Sequence, residues 1–309
     1  MTGDVKGAAV PAVNHHPALI MRVKQIFAAH KFLWIFLPAV LMALIFFFIP
    51  IFSLLRISFY ENVGMGVYQP AMRLDGYIKF LTDPFYLRVI FFTLKIAVLV
   101  TSISLVAGYP VAYYVARAEG AKKIICLLLI IVPLWTNLIV RIYGWFVILG
   151  QKGMLNTLLL NIGFIDQPLS MIFQPLSVVI GLLDMVFPWV LLIMISVMEG
   201  IDWSLIEAAR DLGASRFQSF YEVTFKLSIP GVAVGGLFAF VWSMGEYAVP
   251  SLLGSSAQRT ISIEVADQIL TVLNWPFGAS IAFTLFMISV SVLFISNRLT
   301  QKSADYMLR

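Results

Sequence analysis

Charge is scarce in this chain. Only 12% of its 309 residues are Asp, Glu, Lys or Arg, while 61% are hydrophobic and the mean hydropathy is +0.93. Soluble domains carry roughly a quarter charged residues. A water-soluble chain of this size has too little interior to hide so much apolar side chain, so the bilayer must be the solvent for most of it. Cysteine is nearly missing as well. Cys126 stands alone in an apolar run, which leaves no internal disulfide and no thiolate pair for a metal. The three histidines all fall within the first thirty residues. His15 and His16 have no further ligand types nearby, and no serine of the apolar body has a histidine partner. The Gly-x-x-x-x-Gly-Lys-Ser/Thr, His-Glu-x-x-His, Cys-x-x-Cys and Gly-x-Ser-x-Gly patterns do not occur. Their absence argues against ATP binding by this chain itself and against catalysis within the membrane.

Six apolar runs are long enough to span, at roughly 32–55, 89–115, 123–149, 172–198, 227–252 and 277–297. Pro133 and Arg141 interrupt the third, and Pro175, Asp184 and Pro188 the fourth. Such breaks are tolerated where neighbouring helices satisfy the freed backbone groups, so they suggest a bundle lining a path. The lead before Phe32 is long and basic, and the run after it is too long for a cleavable signal. Residues 1–20 are expected to be disordered.

The net charge is +5, with pI near 9.3. The basic residues cluster at the ends of apolar runs, which reads as topology and lipid-headgroup contact rather than nucleic-acid binding. One set of connecting segments holds thirteen Lys and Arg: Lys6 to Lys31, Arg117 to Lys123, Arg210 to Lys226, and Arg298 to Arg309. The alternate set holds six: Arg56, Arg73, Lys79, Arg88, Lys152 and Arg259. The excess marks the first set as cytoplasmic. The expected organisation is a cytoplasmic tail over 1–31, a six-helix all-α membrane bundle over 32–300, and a cytoplasmic tail over 301–309. None of the outer segments, 56–88, 150–171 and 253–276, is long enough for a catalytic ectodomain.

The largest cytoplasmic segment, about 199–226, joins the fourth and fifth runs. A helix is expected over 202–212, started by Asp202 or Ser204 and stopped by Gly213. A second short helix is expected over about 215–225, ahead of Pro230. Ala208, Ala209, Gly213 and Ala214 keep one surface small, and Glu207, Arg210 and Asp211 place opposite charges around it. That surface suits docking of another protein, and it equally suits a helical connector.

Glu207-Ala208-Ala209, three residues and then Gly213 resembles the EAA signature of permease subunits in bacterial ABC importers. Its position fits, on a cytoplasmic loop before the penultimate of six spans. The family pattern continues to a Leu-Pro pair, and here Lys226 stands where that proline would be, with Pro230-Gly231 following. The resemblance extends over about 32–300. The stretch Ile131 to Trp145, with Pro133, Trp135, Asn137, Arg141 and Tyr143, is similar to the polyamine (spermidine/putrescine) branch. So are Gly153 to Asn156, Gly245-Glu246, Pro250 to Gly254 and Trp275 to Gly278.

The resemblance implies a type I importer-like bundle with cytoplasmic coupling helices at Glu207, Ala208, Ala209, Arg210, Asp211 and Gly213. It implies a second homologous permease, two copies of a cytoplasmic ABC ATPase, a periplasmic solute-binding protein, and surrounding membrane lipid. ATP and Mg belong to the ATPase, so no cofactor is expected on this subunit. The solute implied is small and cationic, such as a polyamine. An opine, aminoethylphosphonate or ferric iron would fit the same branch.

Four ionisable residues lie within spans: Lys95, Arg141, Asp184 and Glu246. Each is costly unless paired or facing a cavity. Asp184 and Glu246 sit beside helix-loosening glycines and prolines, and two carboxylates on a polar path would attract a cation. Either could instead pair with Arg141 or Lys95 to hold helices together. Trp135, Tyr143, Trp242 and Tyr247 could offer ring faces to an ammonium, or could be interface anchors. A secondary transporter predicts inverted repeats, and none is visible. An intramembrane enzyme would have only Asp184 and Glu246 to work with.

Overall fold

The computed structural model describes the backbone of residues 17–307 and the side chains of 36–298. His15, His16, most of the lead expected to be disordered, and the final two residues lie outside the described residues. The chain forms two units, 1–54 and 55–309.

Helix α1, Pro17–Ile57, carries Pro38 and Pro50 inside it. Phe46, Phe47, Ile49 and Phe52 are all exposed, as suits a helix apolar on every side. After it a hairpin, β1 (Glu61–Gly64) and β2 (Val67–Gln69), pairs antiparallel. Met65 and Gly66 both have positive φ, the geometry of a two-residue hairpin loop. The bundle is therefore not purely helical, and the expected outer loop carries this hairpin and α2, Asp75–Thr82.

Helix α3, Pro84–Arg117, begins where the Asp83 carboxylate accepts the Phe85 N–H at 2.8 Å. Then follow α4 (Gly120–Ile131), α5 (Leu138–Leu149) and α6 (Met154–Asn161). The third apolar run is broken where Pro133 interrupts it, and the span long enough to cross a membrane lies later than expected, at Leu138–Asn161. A 3-10 turn covers Val132–Trp135, and α5 restarts after Asn137, whose side chain accepts the Ile139 N–H at 2.8 Å. Pro133 cannot donate into a continuing helix, and Asn137 supplies a new cap.

Helix α7, Pro175–Glu199, is followed by α8 (Ser204–Asp211), α9 (Arg216–Ser219), a π-helical stretch Phe220–Phe225, and α10 (Lys226–Gly245). The fifth run also ends earlier than expected, at Gly245. Glu246 is extended, and α11 (Ala248–Leu253) is separate. Helix α12 (Ile261–Leu270) and α13 (Trp275–Met307) complete the chain.

Among the described residues six stretches are long and apolar enough to cross a membrane: Phe36–Ile57, Pro84–Arg117, Leu138–Asn161, Pro175–Glu199, Arg216–Gly245 and Trp275–Arg298. Helices α3, α7 and α10 pack against one another around the main core, which includes Val100, Leu182, Val190, Met194 and Ala239. A second cluster of Phe80, Tyr86, Ile261, Phe277 and Ile281 joins α2, α3, α12 and α13.

Candidate coupling loop and translocation path

Helix α7 ends at Glu199, whose carboxylate pairs with Lys123 of α4 at 2.8 Å. The Asp202 carboxylate then accepts the Ser204 N–H at 3.0 Å, which starts α8. Hydrogen bonds from the Ser204 side chain and backbone hold the Asp202 carboxyl below its ordinary pKa. Ile206 is buried and anchors the helix, while Glu207, Ala208, Arg210 and Asp211 face outward.

The C-terminus is closed by two backbone bonds. Gly213 N–H donates to Arg210 O at 2.9 Å, and Ala214 N–H to Ala209 O at 3.0 Å. Together they make a Schellman cap, and Gly213 holds the left-handed φ of +90° that it requires. Leu212 is left 90% exposed beside it. The expected helix over 202–212 is therefore present with slightly tighter ends.

Ser215 caps α9 reciprocally with Gln218. The second short helix expected here is not separate, because α9, the π-helical stretch and α10 run on as one helix, Arg216–Gly245. Lys226, standing where the family pattern has proline, keeps an N–H that donates to Val223 O, so the helix continues.

Asp184 and Arg141 meet across α7 and α5. Arg141 Nε lies 2.9 Å and Nη2 2.8 Å from Asp184 Oδ2. Arg141 Nη2 also donates to the main-chain carbonyl of Asp184. That carbonyl lies four residues before Pro188, which has no N–H to give it. An apolar cleft of about 510 Å³ opens beside this pair, lined by Pro133, Trp145, Phe187 and Pro188 among others.

Glu246 takes a different position. Its Oε1 accepts the Ala248 N–H at 3.0 Å and caps α11, and its carbonyl accepts the Ser262 hydroxyl of α12 at 2.6 Å. Among the described residues it forms no ion pair. Trp242 and Tyr247 flank it and are exposed. Trp135, 79% exposed, lies on the 3-10 turn, and Tyr143 is exposed on α5. Among the described residues no hydrogen bond, ion pair or ring contact joins the Asp184 group to the Glu246 group. Lys95 is exposed on α3 and lines a cleft with Arg88, forming no ion pair among the described residues.

Two features escaped the sequence reading. Arg259 bridges Glu264 and Asp267, each at 3.0 Å, with Glu264 buried and also accepting from Gln268. Charges spaced at 259, 264 and 267 were the available signal. Asn156 is fully buried and uses both ends of its amide. It donates to Gly150 O and Leu169 O and accepts the Leu169 N–H. Gly153 is needed beside it, because a Cβ there would lie 2.5 Å from the carbonyl oxygens of Val147 and Ile148.

Among the described residues, six helices long and apolar enough to cross a membrane, with broken helices and an ion pair between two of them, make a multi-pass membrane bundle. The chain belongs to the family of binding-protein-dependent transport system inner membrane components, which matches residues 76–302. It is an ABC importer permease subunit of the inner membrane and not an enzyme.

It is 35% identical to the spermidine/putrescine transport system permease protein PotB of Escherichia coli (strain K12), over 84% of this chain and 96% of that protein. The PotB protein of Haemophilus influenzae is 32% identical, over 89% and 98%. The molybdenum transport system permease protein ModB of Escherichia coli is 30% identical, over 70% and 92%. The fold matches a chain of a bacterial ABC transporter that imports alginate, with TM-score 0.69 at 16% identity, over 91% of this chain and 99% of that one. It also matches that transporter in complex with its alginate pentasaccharide-bound periplasmic protein, with TM-score 0.72, over 91% and 98%.

Proposed function

We propose that this subunit carries a polyamine of the spermidine or putrescine class into the cytoplasm. The observation that carries the reading is the near full-length similarity to two spermidine/putrescine permeases, broader in coverage than that to the molybdenum permease. The site supports it. Glu246 puts a carboxylate that has no ion pair among the described residues at a helix break, with exposed Trp242 and Tyr247 close to it in sequence. A carboxylate beside aromatic faces is the chemistry that holds an ammonium. Asp184 already has its cation in Arg141, so its role in this reading is to shape the cleft by holding α5 against α7. Trp135 and Tyr143 add ring faces on the broken third segment.

In the same reading the loop 199–226 is cytoplasmic, as are residues 1–31 and 301–309, following the excess of Lys and Arg on that side. Glu207, Ala208, Ala209, Arg210, Asp211 and Gly213 dock a cytoplasmic ATPase, and two copies of that ATPase serve two homologous permeases. A periplasmic binding protein delivers solute to the opposite end. Alternating access is driven by ATP turnover on the ATPase.

The test is a co-purification on a C-terminal tag with the ATPase, partner permease and binding protein. ATPase activity stimulated by the spermidine-loaded binding protein is the expected result. An assembled complex that ignores spermidine and putrescine would remove the polyamine reading, and an eluate without ATPase activity would remove the docking reading.

A further inference from the structure

The end of α3 is fastened to both flanks of the loop that carries α8. Trp203 immediately precedes α8, and its ring meets that of Tyr113 edge-on at 5.9 Å. Phe220 directly follows α9 and also meets the Tyr113 ring edge-on, at 5.7 Å. The Arg117 guanidinium lies 5.0 Å from the Trp203 ring and 5.5 Å from that of Tyr113, and it donates to the Tyr113 hydroxyl at 2.8 Å. One turn back on α3, Tyr109 packs on Phe220 and Phe225 and shares a hydrogen bond with Ser228 at 2.9 Å.

Tyr109, Tyr113 and Arg117 are spaced four residues apart, so they line one face of α3. Edge-on aromatic pairs and a cation over a ring face are both attractive beyond the area they bury. Together they make the loop and the end of α3 costly to separate. At the other end of the loop Leu212 and Phe217 are 90% and 75% exposed.

We infer that Tyr113 is a positioning residue that makes α3 move with the loop, so that displacement of α8 reaches the core through α3 as well as along the chain through α7 and α10. Helix α3 packs against both of those helices. It also carries Thr93, whose hydroxyl accepts the Ile261 N–H at 3.0 Å at the start of α12. A shift of α3 thereby reaches the far segment where Arg259, Glu264 and Asp267 are joined. The inference rests on the reading that α8 docks the ATPase.

The experiment uses the full importer in proteoliposomes and measures spermidine taken up per ATP hydrolysed. Tyr113→Ala removes the ring that Trp203 and Phe220 both contact, and it is expected to lower that ratio about tenfold while the ATPase still co-purifies. Tyr113→Phe keeps the ring and is expected to keep the wild-type ratio. An unchanged ratio in Tyr113→Ala overturns the inference, and so does a fall matched by loss of the ATPase from the complex, which is the mark of a structural role alone. A wild-type complex that retains no ATPase overturns the docking reading beneath it, a result distinct from a coupled wild type with an unaffected Tyr113→Ala.

Discussion

Arg141 gives Asp184 two things at once: a counter-charge for its carboxylate and a donor for the carbonyl that Pro188 leaves without a helical partner. One guanidinium thus compensates two costs that would otherwise fall on the same turn of α7. The arrangement explains how an acid and a proline coexist in one span. The two intramembrane carboxylates thus stand in different surroundings: Asp184 is ion-paired, and Glu246 forms no ion pair among the described residues.

Removing that guanidinium should be costly. Arg141→Met leaves a half-buried carboxylate and a carbonyl unpaired, and a loss of about 1–3 kcal/mol is expected, below the scale of a fully buried broken pair. Pro188→Ala restores an N–H to the carbonyl, so the penalty of Arg141→Met should be smaller in that background by about 1–2 kcal/mol. Thermal denaturation of the four proteins in detergent checks this. Additive losses would show that the carbonyl bond carries no energy.

Gly213 holds a φ of +90° at the end of α8. A β-branched residue is strained there whatever space is available, and nothing lies near enough to obstruct it. Gly213→Val is expected to distort the Schellman cap, abolish uptake and leave membrane abundance unchanged. Uptake at the wild-type rate, with equal protein by immunoblot, would count against this loop as the docking element.

Glu246→Gln isolates charge from capping, because a glutamine oxygen can still accept the Ala248 N–H. Spermidine uptake is expected to fall at least fivefold with ATPase activity little changed. Uptake equal to wild type would take Glu246 off the path.

Ala208 lies on the outward side of α8. A cysteine there is expected to cross-link to the ATPase and to resist thiol reagents added from the periplasm. The native Cys126 must first be replaced by serine or alanine. Labelling from the periplasmic side would invert the topology.

Much of the architecture was legible before any coordinates. Hydropathy marks the runs that become α1, α3, α7 and α13, since each is an uninterrupted apolar helix. Local chemistry marks α8 and its end, because Asp202 and Gly213 act within a few residues of themselves. In the third and fifth runs the bounds shift, to Leu138–Asn161 and Arg216–Gly245. A sum over apolar residues does not place a backbone break, and Pro133 and Glu246 mark where the helices stop only once the caps around them are known. The hairpin at Met65-Gly66 escaped because its strands are three and four residues long.

Composition and apolar run length by themselves determined that this is a multi-span membrane protein, because lipid admits few other solutions for such a sequence. The Glu207-to-Gly213 pattern determined the loop helix, because helix caps are local. Which carboxylate is paired was decided only by the tertiary structure. Arg141 is closer in sequence to Asp184 than to Glu246, yet sequence distance does not say which helix faces it. The fastening of Tyr113 to Trp203 and Phe220 was decided in the same way. The rings are readable one by one, but their contact exists only once α3, α7 and α10 pack together.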